Sequence, residues 1–260
     1  MKKMIIVLLV IIGITMLYNL VKDKKNHERE NVKIPVLLYH NFVITVPESD
    51  SDNFNYINTP QSFEENIKTI IENGYTIISL QELNDMNKGK INIPEKPIVI
   101  TFDDGYYSNY EYIYPILKKY NVKVSIFIVT DKIQKEIDGI KYLGWEECRE
   151  MQNSGLVEIF SHSKRHIFYH KVPIQEIRND VIESYEIIEK NLGKKDFKAF
   201  AYPYGAYTSQ TVKILRNSGI KMQLYDLGIN NFKNFDEDYV KRINIPCDMT
   251  GKEIIEEIEK

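Results

Sequence analysis

Excess charge of either sign is lacking in this chain. Its 34 basic and 37 acidic residues nearly cancel, so there is no electrostatic footprint for nucleic acid. Clusters of glycine, proline or serine are also missing, and no internal repeat or low-complexity tract is visible, which excludes a repeat array. Cysteine and tryptophan are scarce. Cys148 and Cys247 are the two thiols; they either pair with each other in an oxidising compartment or stay buried and inert. The single tryptophan, Trp145, reads as core or rim. At 260 residues, the chain suits one sizeable α/β domain with a short appendage.

Long apolar runs are absent too, with one exception. Residues 4–21 read MIIVLLVIIGITMLYNLV, and about 18 residues in a helix span roughly 27 Å, near the hydrocarbon thickness of a bilayer. Lys2 and Lys3 precede the run; Lys22, Lys24, Lys25 and Arg29 follow it. There is no small-x-small cleavage site and no following cysteine to lipidate. Residues 1–21 are therefore expected to be an uncleaved single-pass signal anchor in the cell membrane, with the remainder extracellular. Residues 22–33 form a polar stalk without apolar periodicity, and residues 34–260 the folded domain.

Within that domain, short β-branched runs alternate with amphipathic helical stripes seven or eight times, the pattern of a βα barrel. One run, Ile98-Val99-Ile100-Thr101-Phe102, reads as a buried parallel strand and ends in Asp103-Asp104-Gly105. Two adjacent carboxylates resist joint ionisation. The pair fits a site in which a metal neutralises one member and leaves the other as a base. It fits equally well a helix N-cap ahead of a helix starting near Tyr110. A second run ends in Ser161-His162-Ser163-Lys164-Arg165-His166. On a helical turn, that spacing puts both imidazoles on one face, within reach of one metal ion. A third ends in Tyr202-Pro203-Tyr204-Gly205, and the first, Ile34 to Tyr39, ends at His40. A lone histidine there could simply bond a loop. The polar segment 41–58 reads as a loop that either borders a substrate groove or is a variable surface loop.

Taken together, Thr-Phe-Asp-Asp-Gly, His-Ser-x-x-His and the Pro203-Tyr204-Gly205 turn resemble the polysaccharide deacetylases, the NodB-type family also called carbohydrate esterase family 4, over roughly residues 34–245. The tyrosine-histidine end of the first strand resembles the branch acting on exported poly-N-acetylglucosamine. The resemblance implies a distorted (β/α) barrel of seven or eight parallel strands. It also implies one divalent metal ion, zinc in many members, held by Asp104, His162 and His166. Asp103 would be the general base, His40 the general acid, and the Tyr204 backbone N–H an oxyanion donor. Tyr106, Tyr202 and Pro203 are candidate substrate-binding residues, and of the tyrosines Tyr106, Tyr107, Tyr202 and Tyr204 are the candidates to stack on sugar rings. The implied activity is removal of acetyl groups from N-acetylglucosamine units of an extracellular or cell-wall polysaccharide.

Two departures stand out. The family usually has an arginine where Ala201 stands, orienting the base. Arg242, near a predicted strand end, is a candidate replacement. The late Asp-x-x-Asp-Trp motif is missing, and no histidine follows His170. A catalytically impaired glycan-binding relative, or a hydrolase of another amide or ester, are the alternative readings.

Overall fold

The computed structural model describes residues 32–46, 54–226, 228–247 and 249–260. The expected anchor and residues 22–31 of the stalk lie outside the described residues. Among the described residues, no helix is long and apolar enough to cross a membrane.

Eight parallel strands build the barrel: β1 Val36–Tyr39, β2 Thr76–Ile78, β3 Pro97–Phe102, β4 Val124–Ile128, β5 Val157–Ser161, β6 Ala199–Ala201, β7 Met222–Asp226 and β8 Val240–Asn244. Seven close on themselves in the order β1-β8-β7-β6-β5-β4-β3, with β1 pairing β3. The short β2 pairs only with the first half of β3, which accounts for the distortion.

Alternation along the strands sets the interior. Val36, Val99, Phe127, Phe160, Ala201, Leu224 and Val240, one from each closing strand, form one buried cluster. Residues of opposite parity, such as Leu37, Ile98, Ile100, Ile126 and Ile159, pack with the surrounding helices. The same parity carries inward from Val99 to Thr101 and Asp103, and from Val240 to Arg242.

The helices are α1 Pro60–Glu72, α2 Leu80–Asn87, α3 Tyr114–Tyr120, α4 Trp145–Asn153, α5 Ile174–Leu192, α6 Ser209–Asn217 and α7 Gly251–Glu259. Their starts follow local capping chemistry. Thr59 accepts from the Ser62 N–H ahead of Pro60, and Ser79 with Glu82 and Thr250 with Glu253 form capping boxes. Lys33 donates to the carbonyls of Ile258 and Glu259 at 3.1 and 2.9 Å, stabilising the C-terminal end of α7.

Segment 41–58 is tied down at both ends, because Asn41–Phe42 pairs in parallel with Ile57–Asn58. The charged stretch 131–142 contains a hairpin, Glu136–Ile137 against Ile140–Lys141. Cys148 and Cys247 are not joined in a disulfide.

Candidate active site

The strand-end motifs converge at the C-terminal mouth of the barrel, where βα barrels carry their chemistry. The Asp103 N–H donates to the Tyr39 carbonyl at 3.0 Å, so the ladder between β1 and β3 runs right up to the carboxylates. Asp104 and Gly105 then take left-handed backbone, with φ of +69° and +75°. A Cβ on Gly105 would come within 2.9 Å of Ile128 Cγ2, so that position requires glycine. Neither aspartate caps a helix. The next helical stretch begins at Asn109, and the Asn109 side chain donates to the His40 carbonyl at 2.9 Å, tying the end of β1 to this loop.

The histidine segment is not a helical turn. Ser163 and His166 have φ of +75° and +56°, and the loop is held by buried side chains. Ser161 Oγ accepts from the Ser163 N–H at 3.0 Å, and Ser163 Oγ from the His166 N–H at 2.8 Å. Asp180, buried on α5, accepts from the Lys164 N–H, Arg165 Nε and Tyr169 Oη at 2.8, 2.8 and 2.9 Å. The result is the juxtaposition that the spacing suggested, reached by a different backbone path.

Asp104, His162 and His166 offer ligand atoms all within 4.8 Å of one another. His166 Nε2 lies 3.2 Å from Asp104 Oδ1 and 3.2 Å from His162 Nε2. His162 Nδ1 donates to the Ala201 carbonyl at 2.8 Å, which leaves the Nε2 lone pair facing the cluster. Burial, reinforced by the neighbouring His162, pushes the His166 imidazole down to about 4, so its lone pair is available at neutral pH. Burial would raise Asp104, but His162, His166 and Lys132 outweigh it and hold the carboxyl below its usual range. One carboxylate and two imidazoles converging this way suit zinc or a similar divalent ion, with positions left for water and substrate.

Asp103 faces the same space from deeper inside, its Oδ2 3.7 Å from His162 Nε2. Arg242 reaches it from β8 in a two-pronged ion pair, Nη1 to Oδ1 at 2.8 Å and Nη2 to Oδ2 at 2.7 Å. Both side chains are buried. Burial works to raise Asp103, yet the Arg242 charge, followed by His162 and the Arg242 hydrogen bonds, holds it well below the usual carboxylate range. Ala201 adds only a methyl group to this interior, and Arg242 supplies the guanidinium from two strands away. His40 lies near both aspartates. Burial lowers its pKa, outweighing the upward pull of Asp103 and Asp104, and its Nδ1 is buried with no hydrogen-bond partner among the described residues.

The expected substrate-binding residues fare differently. Tyr106 is half-buried and donates to Asp104 Oδ2 at 3.0 Å, so it braces a carboxylate of the candidate metal-binding set. Tyr202 is buried in an aromatic cluster with Phe200 and Tyr169, its hydroxyl on Gln223, and Pro203 is buried beside it. Neither can stack on a sugar, which corrects that expectation. Tyr204, 53% exposed, stands at the rim with φ +59°, in the first turn of a 3₁₀ segment, where N–H groups have no intrahelical acceptor.

Sequence reasoning missed Lys132 and Asp180. Lys132 Nζ lies 3.5 Å from Asp104 Oδ1; its signal was its place just past the end of β4. Asp180 shares the buried face of α5 with Ile177, Val181 and Ser184, and a carboxylate within an apolar stripe was the available clue.

Comparison with known proteins agrees with this geometry. A family model described as polysaccharide deacetylase matches residues 90–223, just over half of the chain. That stretch includes Asp103, Asp104, His162, His166 and Tyr204, but neither His40 nor Arg242. YxkH of Bacillus subtilis is 30% identical over 191 residues, covering 73% of this chain and 63% of that protein. The poly-beta-1,6-N-acetyl-D-glucosamine N-deacetylase of Staphylococcus aureus is 29% identical over 208 residues, 75% of this chain and 69% of that one. The structure of the Streptococcus pyogenes deacetylase PplD, in complex with acetate, superposes with a TM-score of 0.78 at 26% identity, covering 88% of this chain and all of that chain. On the family match and the strand-end motifs together, the chain belongs to the polysaccharide deacetylase family.

Proposed function

We propose that this chain is a metal-dependent N-deacetylase that removes acetyl groups from N-acetylglucosamine units of an extracellular or cell-wall polysaccharide. The observation that carries the reading is a buried, arginine-held carboxylate, Asp103, beside a convergent Asp104–His162–His166 ligand set. A divalent ion bound by those three would supply Lewis acidity and a more acidic water.

The remaining roles belong to the chain's own side chains. Asp103 takes the proton from the water that attacks the acetyl carbonyl carbon. Arg242 fixes the plane of that carboxylate and keeps it ionised. The Tyr204 N–H stabilises the developing oxyanion. As the carbon–nitrogen bond breaks, His40 gives a proton to the departing amine. Acetate and a glucosamine unit result. The main support for an impaired glycan-binding relative was the missing arginine at position 201, and the Arg242–Asp103 pair removes it.

The apolar run at 4–21, flanked by lysines, supports a membrane anchor that places this domain outside the cell. Carbonate washing of membranes tests the anchor: an anchored chain stays in the pellet, and a peripheral one is released. For the activity, acetate release from poly-N-acetylglucosamine, peptidoglycan and chitin oligomers is the test. Release from at least one of them is expected, and no release from any overturns the reading.

A further inference from the structure

Among the buried polar atoms left without a hydrogen-bond partner, two sit on residues that already touch. One is His40 Nδ1 and the other is Asn109 Oδ1. Asn109 Nδ2 donates to the His40 carbonyl at 2.9 Å, and that bond settles which way the amide points. A flipped amide would set its oxygen against the His40 carbonyl, acceptor against acceptor. Asn109 Oδ1 is therefore an acceptor in need of a donor. His40 Nδ1 answers it when that nitrogen carries the ring proton. Buried polar atoms are nearly always satisfied by protein or bound water, so two complementary orphans on touching residues point to each other.

The surroundings hold both groups still. Asn109 is 1% exposed and opens the helical stretch after the Asp103-Asp104 turn. Beside it, Ser108 Oγ accepts from the Phe42 N–H at 3.1 Å and donates to Asn41 Oδ1 at 2.8 Å, a second tie between the two segments. The Tyr56 ring meets the His40 ring edge-on, with centroids 5.0 Å apart and planes at 83°, which restricts rotation of the imidazole. The charged and titratable groups acting on His40 are Asp103 and Asp104 at the end of β3, Arg242 on β8 and His162 at the end of β5. No carboxylate among the described residues bonds to Nδ1, so the partner that often fixes a histidine tautomer does not do so here.

We propose that Asn109 is the positioning residue for His40: its Oδ1 takes the Nδ1–H through one buried water, which fixes the neutral tautomer and leaves Nε2 as the atom that exchanges the proton. This rests on the deacetylase reading above, in which His40 protonates the departing amine. As the carbon–nitrogen bond breaks, its electron pair stays on nitrogen and takes the proton from Nε2. Nδ1–H remains in place throughout, and Asn109 neither gains nor loses a proton. An acceptor on Nδ1 also favours the imidazolium that donates, against the burial that disfavours it.

The test is a double-mutant cycle on the zinc-loaded full chain in detergent. The amide reaction is acetate release from whichever of the three polysaccharides above is turned over fastest. The control is an activated acetate ester, whose leaving group needs no proton. Asn109→Ala lowers kcat on the amide about tenfold with KM unchanged, and leaves the ester rate and zinc affinity near wild type. In a His40→Ala background the same substitution costs nothing further. Asn109→Asp keeps an acceptor for Nδ1 and adds a charge that favours imidazolium, so the basic limb of the amide pH profile moves to higher pH. Equal losses on amide and ester, a full loss in the His40→Ala background, or an unmoved basic limb in Asn109→Asp overturn the proposal. If the wild type releases acetate from none of the three, the deacetylase reading fails, and the nitrogen-15 shifts of the His40 ring judge Asn109 alone. A neutral ring protonated at Nδ1 in the wild type, and shifted toward Nε2–H in Asn109→Ala, upholds the assignment. A ring protonated at Nε2 in the wild type, or the same tautomer in both proteins, rejects it.

Discussion

Replacing Arg242 with methionine isolates the ion pair on which the proposed base, Asp103, depends. The substitution keeps most of the buried volume and removes both bonds to Asp103, at 2.8 and 2.7 Å. Asp103 is then a buried carboxylate without its counter-ion. Breaking a buried pair in this way costs about 3–5 kcal/mol, against a domain stability of roughly 5–15 kcal/mol. With an m-value of about 2–3 kcal/mol/M, the urea midpoint falls by roughly 1–2.5 M. The pH dependence carries the sharper signature. In the wild type, the Asp103 pKa is held below its ordinary value. Its contribution is therefore present above the unfolded carboxylate pKa of about 3.9 and is lost as pH falls through the lower folded value. In Arg242→Met, burial acts unopposed by the guanidinium and raises the folded pKa. The folded state then binds the extra proton, and this group's contribution grows as pH is lowered from neutrality. Urea unfolding between pH 3 and 7, with chelator present, reads both effects. Asp103→Asn combined with Arg242→Met should recover much of the loss, because no unpaired charge remains. A midpoint and pH slope indistinguishable from wild type in Arg242→Met would refute this account of the pair.

Other substitutions separate the remaining roles. Asp103→Asn should abolish acetate release while zinc affinity by calorimetry stays near wild type, whereas His162→Ala should lose both; Asp103→Asn with wild-type turnover removes the proposed base. Asp180→Asn should weaken zinc binding about 10–100-fold, because three of the bonds shaping the histidine loop end on that carboxylate; unchanged affinity would mean that the loop is set elsewhere. His40→Ala should slow amide hydrolysis about 10²–10⁴-fold and spare an activated ester whose leaving group needs no proton. Equal losses on amide and ester would argue against its role as acid.

Much of this arrangement was legible in the sequence, for identifiable reasons. Helix starts such as Thr59-Pro60 and Ser79 carry their own capping chemistry, and strands such as Ile98 to Phe102 are apolar on both faces because the barrel buries both. The Asp-Asp-Gly turn is local as well, since its glycine answers a close approach by Ile128. The rest is set by tertiary contacts. The His162–His166 spacing suggested a helix, but Asp180 and two serines impose a left-handed loop. Tyr202 resembled a rim residue by adjacency to Tyr204, yet the alternation of β6 carries it into the core. The Arg242–Asp103 pair spans 139 positions and follows from the closing of the barrel through β8, which no local pattern encodes.

The central claim is that one divalent ion, held by Asp104, His162 and His166, is required for deacetylation. The direct measurement is acetate release from an N-acetylglucosamine oligomer by the chelated full chain, before and after addition of one equivalent of zinc. The account predicts no release from the chelated chain and recovery on addition of zinc, with no recovery in His162→Ala. Full release from the metal-free chain would contradict it.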